Sequence, residues 1–188
     1  MTAQLSGKKI MILVANGVDE SVMSCVQREL VKTGATVKTV GIAPGIVNSW
    51  NAGTWGLYFP VDQQINQTLG SDFDCVIVPS GVRAVQKLAA TPHSERILSS
   101  FVATNKHMVF MGDAIELLAQ TNLATGHTVA GPESVEDAMT NAGATFAGAD
   151  ITCGDALMSG DCTDTEAFIT RMIDFLANSA DIELKAAA

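Results

Sequence analysis

Short apolar runs alternate with longer amphipathic stretches along most of this chain. Four runs are apolar, or alternate apolar with polar positions, and predict strands over residues 9–15, 36–42, 74–79 and 107–111. Longer segments repeat apolar residues every third or fourth position and predict helices over residues 19–33, 82–90, 92–105, 114–121, 133–141 and 163–178. Shorter strands are predicted over residues 128–130 and 150–159, the latter interrupted by Gly154-Asp155.

The order of these elements predicts the fold class. Strand, helix and strand follow one another over residues 9–42, which is the pattern of a right-handed βαβ unit. Repetition of this order predicts an α/β fold with a doubly wound, mainly parallel sheet and helices on both faces. The 188 residues predict one domain spanning 1–188, with its core over about residues 8–178.

Residues 44–62 interrupt the alternation and concentrate aromatic side chains. We predict a hairpin that turns at residues 51–53, within a segment that carries Trp50, Trp55, Tyr58 and Phe59. These side chains either pack locally over the edge of the sheet or form a subunit interface, where aromatic residues are favoured. The second alternative predicts a homo-oligomer, most simply a dimer, and leaves room for another protein partner.

Composition narrows the class of function. Eleven Lys+Arg against 20 Asp+Glu give a net charge of −9, and 47% of the residues are hydrophobic while 16% are charged. This balance excludes a disordered chain and, because the basic residues are scattered, argues against nucleic acid as a partner. No apolar run approaches the roughly 18 residues of a membrane span, so we expect no membrane contact and a cytoplasmic protein.

Cysteine and histidine spacing predicts neither a metal nor a cofactor. Cys25, Cys75, Cys153 and Cys162 lack the pairing typical of zinc sites, and the three histidines are dispersed. All four thiols are expected to be structural. Cys162 follows Gly160-Asp161 close to a predicted strand end, which makes it the best candidate for a reactive thiol.

Candidate chemistry lies where the predicted strands end, because ligands of open parallel sheets bind outside the carboxyl ends of the strands. Small and acidic residues occupy these positions, at residues 16–20, 79–81, 112–113 and 159–161. None of the segments carries a glycine-rich nucleotide-binding motif or the G-x-S-x-G motif of serine hydrolases.

Three segments carry a resemblance to a known family: KKIMILVANGVDE at residues 8–20, DCVIVPSG at 74–81 and HMVFMGDAIELLA at 107–119. In this order and spacing the chain resembles the ThiJ/PfpI superfamily, which implies the flavodoxin-like fold of class I glutamine amidotransferases. Residues 17–19 and 112–114 (Gly-Val-Asp and Gly-Asp-Ala) are more similar still to the C-terminal domain of large-subunit catalases.

The resemblance also implies that the family chemistry has been lost. Aligned on residues 117–119, the family's nucleophilic cysteine falls at Gly112 and its histidine at Asp113, while the family glutamate falls at Val22. Ser80 replaces a glycine, although Gly81 matches. We therefore expect a catalytically degenerate binding or assembly module rather than an enzyme, linked through the catalase likeness to a catalase or to oxidative-stress proteins.

Several residues of this expected pocket have alternative roles. We expect Asp113 to cap its own helix, which would lower its pKa and make it a poor base, although it could also bind a ligand or substitute as a nucleophile. Asp19 and Glu20 suit the first turn of a helix, and Glu20 could project into the pocket. The competing hypothesis is a hydrolase or lyase that uses Asp113, Glu20 or Cys162.

Overall fold

The computed structural model describes residues 4–186, and the side chains of residues 4–178, as layers built around a central sheet. The strands are β1 Lys9–Val14, β2 Val18–Asp19, β3 Thr36–Gly41, β4 Gly45–Asn51, β5 Thr54–Val61, β6 Gln63–Gln64, β7 Cys75–Val78, β8 His107–Met111, β9 Thr128–Val129, β10 Thr145–Phe146, β11 Thr152–Cys153 and β12 Leu157–Gly160. The helices are α1 Glu20–Lys32, α2 Val82–Ala89, α3 Pro92–Ala103, α4 Glu116–Gln120, α5 Glu136–Asn141 and α6 Thr165–Ala186.

The central sheet has the predicted parallel architecture. Within the described residues it holds seven strands in the order β11-β12-β8-β7-β1-β3-β6, and only the edge pair β11-β12 is antiparallel. Ile10 pairs with Val37 on one side and with Cys75 on the other, which places β1 in the interior of the sheet. Burial on both faces explains why β1, β7 and β8 are nearly continuous apolar runs, and the predicted fold class is confirmed.

Local signals set where α1 begins and ends. The Asp19 carboxylate accepts the backbone N–H of Val22 at 3.0 Å and caps the helix. After Thr33, Gly34 takes a left-handed conformation with φ of +76°, as a helix C-terminal glycine does. The buried side chains of this helix, which include Met23, Val26 and Leu30, pack into the core beneath the sheet.

The predicted hairpin is confirmed as β4 and β5. Ala52 and Gly53 both have positive φ, +46° and +90°, as the two central residues of the tight turn preferred by hairpins do. The hairpin forms a small separate sheet with β2, in the order β2-β4-β5. Because β2 directly follows β1 and precedes α1, the hairpin lies beside the carboxyl end of the central sheet.

The chain differs from the sequence prediction mainly in its second half. Helix α6 continues to Ala186 instead of ending at Asn178, because no glycine or proline follows Asn178 to stop it. The predicted helix over residues 114–121 is a 3₁₀ turn, Gly112–Ile115, followed by the short α4. In the part of the chain that the structure describes, no helix is both long and apolar enough to cross a bilayer.

Candidate functional site

A pocket of about 710 Å³ opens at the carboxyl ends of β1, β7, β8 and β12. It brings together most of the predicted site residues, namely Asp19, Ser80, Gly81, Gly112, Asp113 and Cys162, together with Asp161. Asp19 and Cys162 are about 140 positions apart in the sequence. They meet at this pocket because the loops that follow parallel strands gather at one edge of the sheet. The structure therefore forms a cavity at the strand ends, which is the location that the sequence predicts.

The loops after β1 and β7 are locked together through their backbones. The N–H of Asp19 donates to the carbonyl of Ser80 at 2.8 Å. Gly81 has φ of +138°, and a Cβ at this position would lie 2.7 Å from the carbonyl oxygen of Gly17 and 2.8 Å from the nitrogen of Asp19. Only glycine fits this approach, so the backbones of the two loops can lie in direct contact at the pocket.

Gly112 directly follows β8 and is the first residue of the 3₁₀ helix; we call residues 112 and 113 the elbow. Its φ is +59°, a left-handed conformation that glycine adopts without strain. A Cβ on Gly112 would lie 3.0 Å from Sγ of Cys162 and 3.1 Å from Cβ of Ser80. The space that a side chain at the elbow would occupy is thus bounded by two side chains from neighbouring loops.

Asp113 does not cap its own helix, so this part of the prediction is wrong. The 3₁₀ helix begins after Met111 without a side-chain cap, and Oδ1 of Asp113 instead accepts the N–H of Gly81, 2.8 Å away on the loop before α2. Burial raises the pKa of Asp113, and the carboxylates of Asp19 and Glu116 add to the rise. The expected lowering of its pKa is therefore also wrong, because burial outweighs the hydrogen bonds from the backbone of Gly81 and of Asp113 itself.

Cys162 presents its thiol to the pocket, half-buried and beside the elbow. Burial first, and then the carboxylates of Asp161, Asp113 and Asp19, raise its pKa to about 11, although a hydrogen bond with Ser80 acts to lower it. At neutral pH a thiol with this pKa is roughly one part in ten thousand thiolate, which is the nucleophilic form. The location of Cys162 fits the prediction of a pocket thiol, but its surroundings suppress its reactivity.

Glu20 and Val22 point away from the pocket. Glu20 lies against the hairpin, where its carboxylate accepts the Ser49 hydroxyl at 2.7 Å, the Asn51 amide at 2.8 Å and the Leu57 N–H at 2.6 Å. These hydrogen bonds, with that from the Leu57 backbone first, lower the pKa of Glu20. Val22 is 3% exposed and packs into the core. The expectation that Glu20 projects into the pocket is wrong, because the hairpin strands β4 and β5 supply it with donors.

The aromatic residues of the hairpin divide into three environments. Trp50 lines the pocket, and the guanidinium of Arg83 lies 4.0 Å from its ring centroid. Trp55 packs edge-on against Trp50, with centroids 5.1 Å apart, and is 48% exposed. Tyr58 is 64% exposed, whereas Phe59 is only 6% exposed and belongs to the core. An interface role is therefore wrong for Phe59, and it remains a prediction for the other three residues.

Arg83 is a charged pocket residue that the sequence analysis did not identify. It lies in the first turn of α2, and its cation–π contact joins that helix to the hairpin. Nothing in a lone arginine on an amphipathic helix indicates a tryptophan 33 positions earlier, so no local signal could have found it. It places one positive charge on the pocket wall opposite the carboxylates of Asp19 and Asp161.

Within the described residues, no group of three or more histidine, cysteine, aspartate or glutamate side chains is arranged to hold a metal ion. Asp19, Asp113 and Asp161 all reach the pocket, but Asp19 caps α1 and Asp113 binds Gly81. Asp161 accepts the hydroxyl of Thr163 at 2.7 Å. The carboxylates of the pocket are thus each engaged with the chain itself.

The parallel sheet, the left-handed strand-to-helix elbow and the pocket at the strand ends together define a flavodoxin-like α/β domain. A model of the DJ-1/PfpI family matches residues 8–174, and the chain belongs to this family. The resemblance to the ThiJ/PfpI superfamily is confirmed at this level, whereas the narrower likeness to catalase C-terminal domains stays a prediction.

Individual relatives are similar along most of the chain. The Bacillus subtilis (strain 168) protein named "Putative cysteine protease YraA" is 23% identical over 170 residues, which cover 90% of this chain and 98% of that protein. The crystal structure of Drosophila melanogaster DJ-1beta matches with a TM-score of 0.80 at 18% identity and covers 97% of both chains.

A further match is a two-domain protein from Anabaena variabilis with DJ-1/ThiJ/PfpI-like and ferritin-like domains. Its TM-score is 0.77 at 21% identity, over 88% of this chain and 48% of the Anabaena chain. The present chain therefore spans about half the length of that relative.

Proposed function

We propose that this chain is a DJ-1/PfpI domain that no longer performs cysteine-based catalysis and that uses the pocket at the strand ends as a binding module. The observation that carries the proposal is Gly112 at the elbow, where the ThiJ/PfpI resemblance places the family nucleophile. A glycine offers neither a nucleophile nor a general base. The left-handed φ of +59° supports the placement, since a sharp strand-to-helix turn requires a conformation that is strained for every residue except glycine.

The backbone donors of the elbow support the same conclusion. Hydrolysis of an acyl compound passes through an oxyanion that needs free N–H donors near the nucleophile. Here the N–H of Gly81 already donates to the carboxylate of Asp113 at 2.8 Å. An oxyanion at this position would have to displace a carboxylate that the chain supplies itself.

The Anabaena relative supports the idea of a module, because its DJ-1/ThiJ/PfpI-like domain shares a chain with a ferritin-like domain. By analogy, a partner of the present domain belongs to another protein or to another part of a longer chain. From the resemblance to catalase C-terminal domains, we propose a catalase or an oxidative-stress protein as that partner. Pull-down with the purified domain as bait, compared with the same bait carrying Trp55→Ala and Tyr58→Ala, tests whether the hairpin surface contributes to such binding.

Turnover assays test the loss of catalysis. The purified protein is expected to show no glyoxalase, deglycase, peptidase or amidase activity above that of a heat-denatured sample. The decisive comparison is with Asp113→Asn and Cys162→Ser. Activity in the native chain that either substitution abolishes would overturn the proposal.

The second candidate function is an enzyme with a relocated thiol, and one observation favours it. Sγ of Cys162 lies 3.0 Å from the point where a Cβ of residue 112 would stand, so a thiol does reach the elbow from another loop. A hydrolase or lyase of this kind would lose its activity in Cys162→Ser and keep it in Cys153→Ser, which removes an exposed cysteine elsewhere. Equal activity in both variants would exclude the relocated nucleophile.

The hairpin carries a further proposal, that of a homodimer. Trp55, Leu57 and Tyr58 are each about half or more exposed on β5, an edge strand of its small sheet. Light scattering of the native chain and of Tyr58→Glu tests this proposal. A dimer that the substitution converts to a monomer is expected, and a native monomer at working concentration would contradict it.

A further inference from the structure

The carboxylate of Asp113 reaches from the elbow to a backbone donor on a neighbouring loop. Its Oδ1 accepts the N–H of Gly81 at 2.8 Å, and the backbone N–H of Asp113 itself also favours the charged form of this carboxylate. Gly81 directly precedes α2, where the helix presents its partial positive charge. Backbone N–H groups converging at the start of a helix are the arrangement that binds free anions.

The position is therefore an anion site that already contains an anion. The resident carboxylate belongs to the chain, so it competes with dissolved anions at very high effective concentration. Its surroundings add to this, because Asp19 and Asp161 line the same pocket. Arg83, which also lines the pocket, has its guanidinium over the ring of Trp50, 4.0 Å from the ring centroid.

We propose that Asp113 determines the charge class of the ligand that this pocket accepts. Its carboxylate occupies the anion-binding position formed by the N–H groups of Gly81 and Asp113, so the native pocket takes neutral or cationic ligands and excludes carboxylates and similar small anions. This inference rests on the proposed function only in treating the pocket as a ligand site. It follows that removing the carboxylate should turn the pocket into a receptor for a small anion.

Three variants distinguish the effect of freeing the N–H of Gly81 from the effect of removing one negative charge from the pocket. Asp113→Ala removes the carboxylate and leaves the N–H of Gly81 without its partner. Asp113→Asn removes the same charge but keeps a carbonyl oxygen that can accept from Gly81. Asp161→Asn removes one negative charge from the same pocket and frees no backbone donor, because Asp161 accepts only the exposed Thr163 hydroxyl among the described contacts.

Acetate is the probe, since it returns the chemical group that alanine removes. The melting temperature of each variant is followed as sodium acetate replaces sodium chloride at constant ionic strength. Asp113→Ala is expected to show a saturable rise of roughly 3–6 °C once acetate exceeds its Kd about tenfold. The amide resonance of Gly81 should shift in parallel. Native protein, Asp113→Asn and Asp161→Asn should respond no more to acetate than to chloride.

The outcome is decisive in each case. If Asp113→Ala folds and its acetate response equals that of Asp161→Asn, or if Asp113→Asn responds as strongly as Asp113→Ala, the proposal is overturned. Should the alanine variant not fold, Asp113→Ser takes its place, and the absence of an acetate-specific response in that variant overturns the proposal equally.

These measurements are independent of catalysis. Detection of turnover in the native chain would overturn the proposed function and leave the acetate response unaffected. Conversely, a missing acetate response would refute the role of Asp113 while leaving the loss of catalysis intact.

Discussion

The carboxylate of Asp113 and the backbone N–H of Gly81 are hydrogen-bonded at 2.8 Å, although the two residues are 32 positions apart in the chain. This contact joins the loop after β7 to the elbow after β8. It places a charged group in a largely buried position, where ionisation is unfavourable.

Stability should therefore depend on pH through Asp113. Its pKa in the folded state is raised above the ordinary 3.8, so its contribution is fully present below that value and is lost as pH rises through the folded pKa. The native protein should lose stability relative to Asp113→Asn as the pH rises from about 3 to about 7. Urea unfolding of both proteins across this range measures the difference, with Asp137→Asn, an exposed residue of α5, as the control for loss of a charge. A difference that is independent of pH would contradict the raised pKa.

The Glu20 carboxylate should hold the hairpin in place. Glu20→Ala removes the acceptor for Ser49, Asn51 and the N–H of Leu57, so we expect faster hydrogen exchange at Leu57. Both tryptophans of the chain lie on the hairpin. A looser hairpin exposes them more to water, so the tryptophan fluorescence of Glu20→Ala should shift to longer wavelength. Glu20→Gln, which keeps one carbonyl acceptor, should show a smaller effect.

The same carboxylate predicts an acid transition of the hairpin. The pKa of Glu20 is lowered from 4.5, so its contribution is present above 4.5 and is lost as pH falls through the lower folded value. Tryptophan emission of the native protein should shift in this range. An identical shift in Glu20→Ala would show that another group is responsible.

The stability loss of an alanine at position 112 has two causes, namely backbone strain and steric contact with neighbouring side chains, and a second glycine allows them to be distinguished. An alanine in the left-handed region costs about 1–3 kcal/mol. Gly112→Ala should cost more than Gly126→Ala, because a Cβ at 112 meets Cys162 and Ser80, whereas Gly126 has φ of +82° and no atom within 4 Å of its Cβ position. Chemical denaturation of the two variants gives the comparison. Equal losses would mean that Cys162 and Ser80 move aside freely.

The thiol of Cys162 should react slowly and with a steep dependence on pH. With a pKa of about 11, its alkylation by iodoacetamide should accelerate about tenfold per pH unit across the neutral range. Exposed Cys153 is the internal reference and should be modified first, as peptide mapping would show. Asp161→Asn should accelerate the reaction of Cys162, and Ser80→Ala should slow it. Rapid modification of Cys162 at neutral pH would contradict its assignment as a suppressed thiol.

Elements whose residues carry a local hydrophobic pattern can be predicted from the sequence, whereas elements that depend on contacts with distant residues cannot. Strands β1, β7 and β8 are buried on both faces, so their apolar runs are visible in the sequence. Strands β2, β6 and β10 have two residues each and carry no periodicity. They exist because neighbouring strands offer backbone partners, as Thr145 and Thr128 do.

The same distinction between local patterns and distant contacts applies to the candidate site. Its location at the strand ends is a rule of topology and could be predicted from the order of elements. The partners of Asp113, Glu20 and Arg83 could not, because each lies 29 or more positions away in the chain, as Ser49 does from Glu20. A carboxylate after a strand looks like a cap in the sequence, and only the packed loops show that its donor comes from elsewhere.

The absent side chain of Gly112 also bears on how this domain can change over evolutionary time. A cysteine at position 112 would have its Cβ 3.0 Å from the sulfur of Cys162, and Asp113 would still occupy the N–H of Gly81. A free nucleophile at the elbow would thus need coordinated substitutions at positions 112, 113 and 162. On the proposed function, selection on this pocket therefore acts on what it binds.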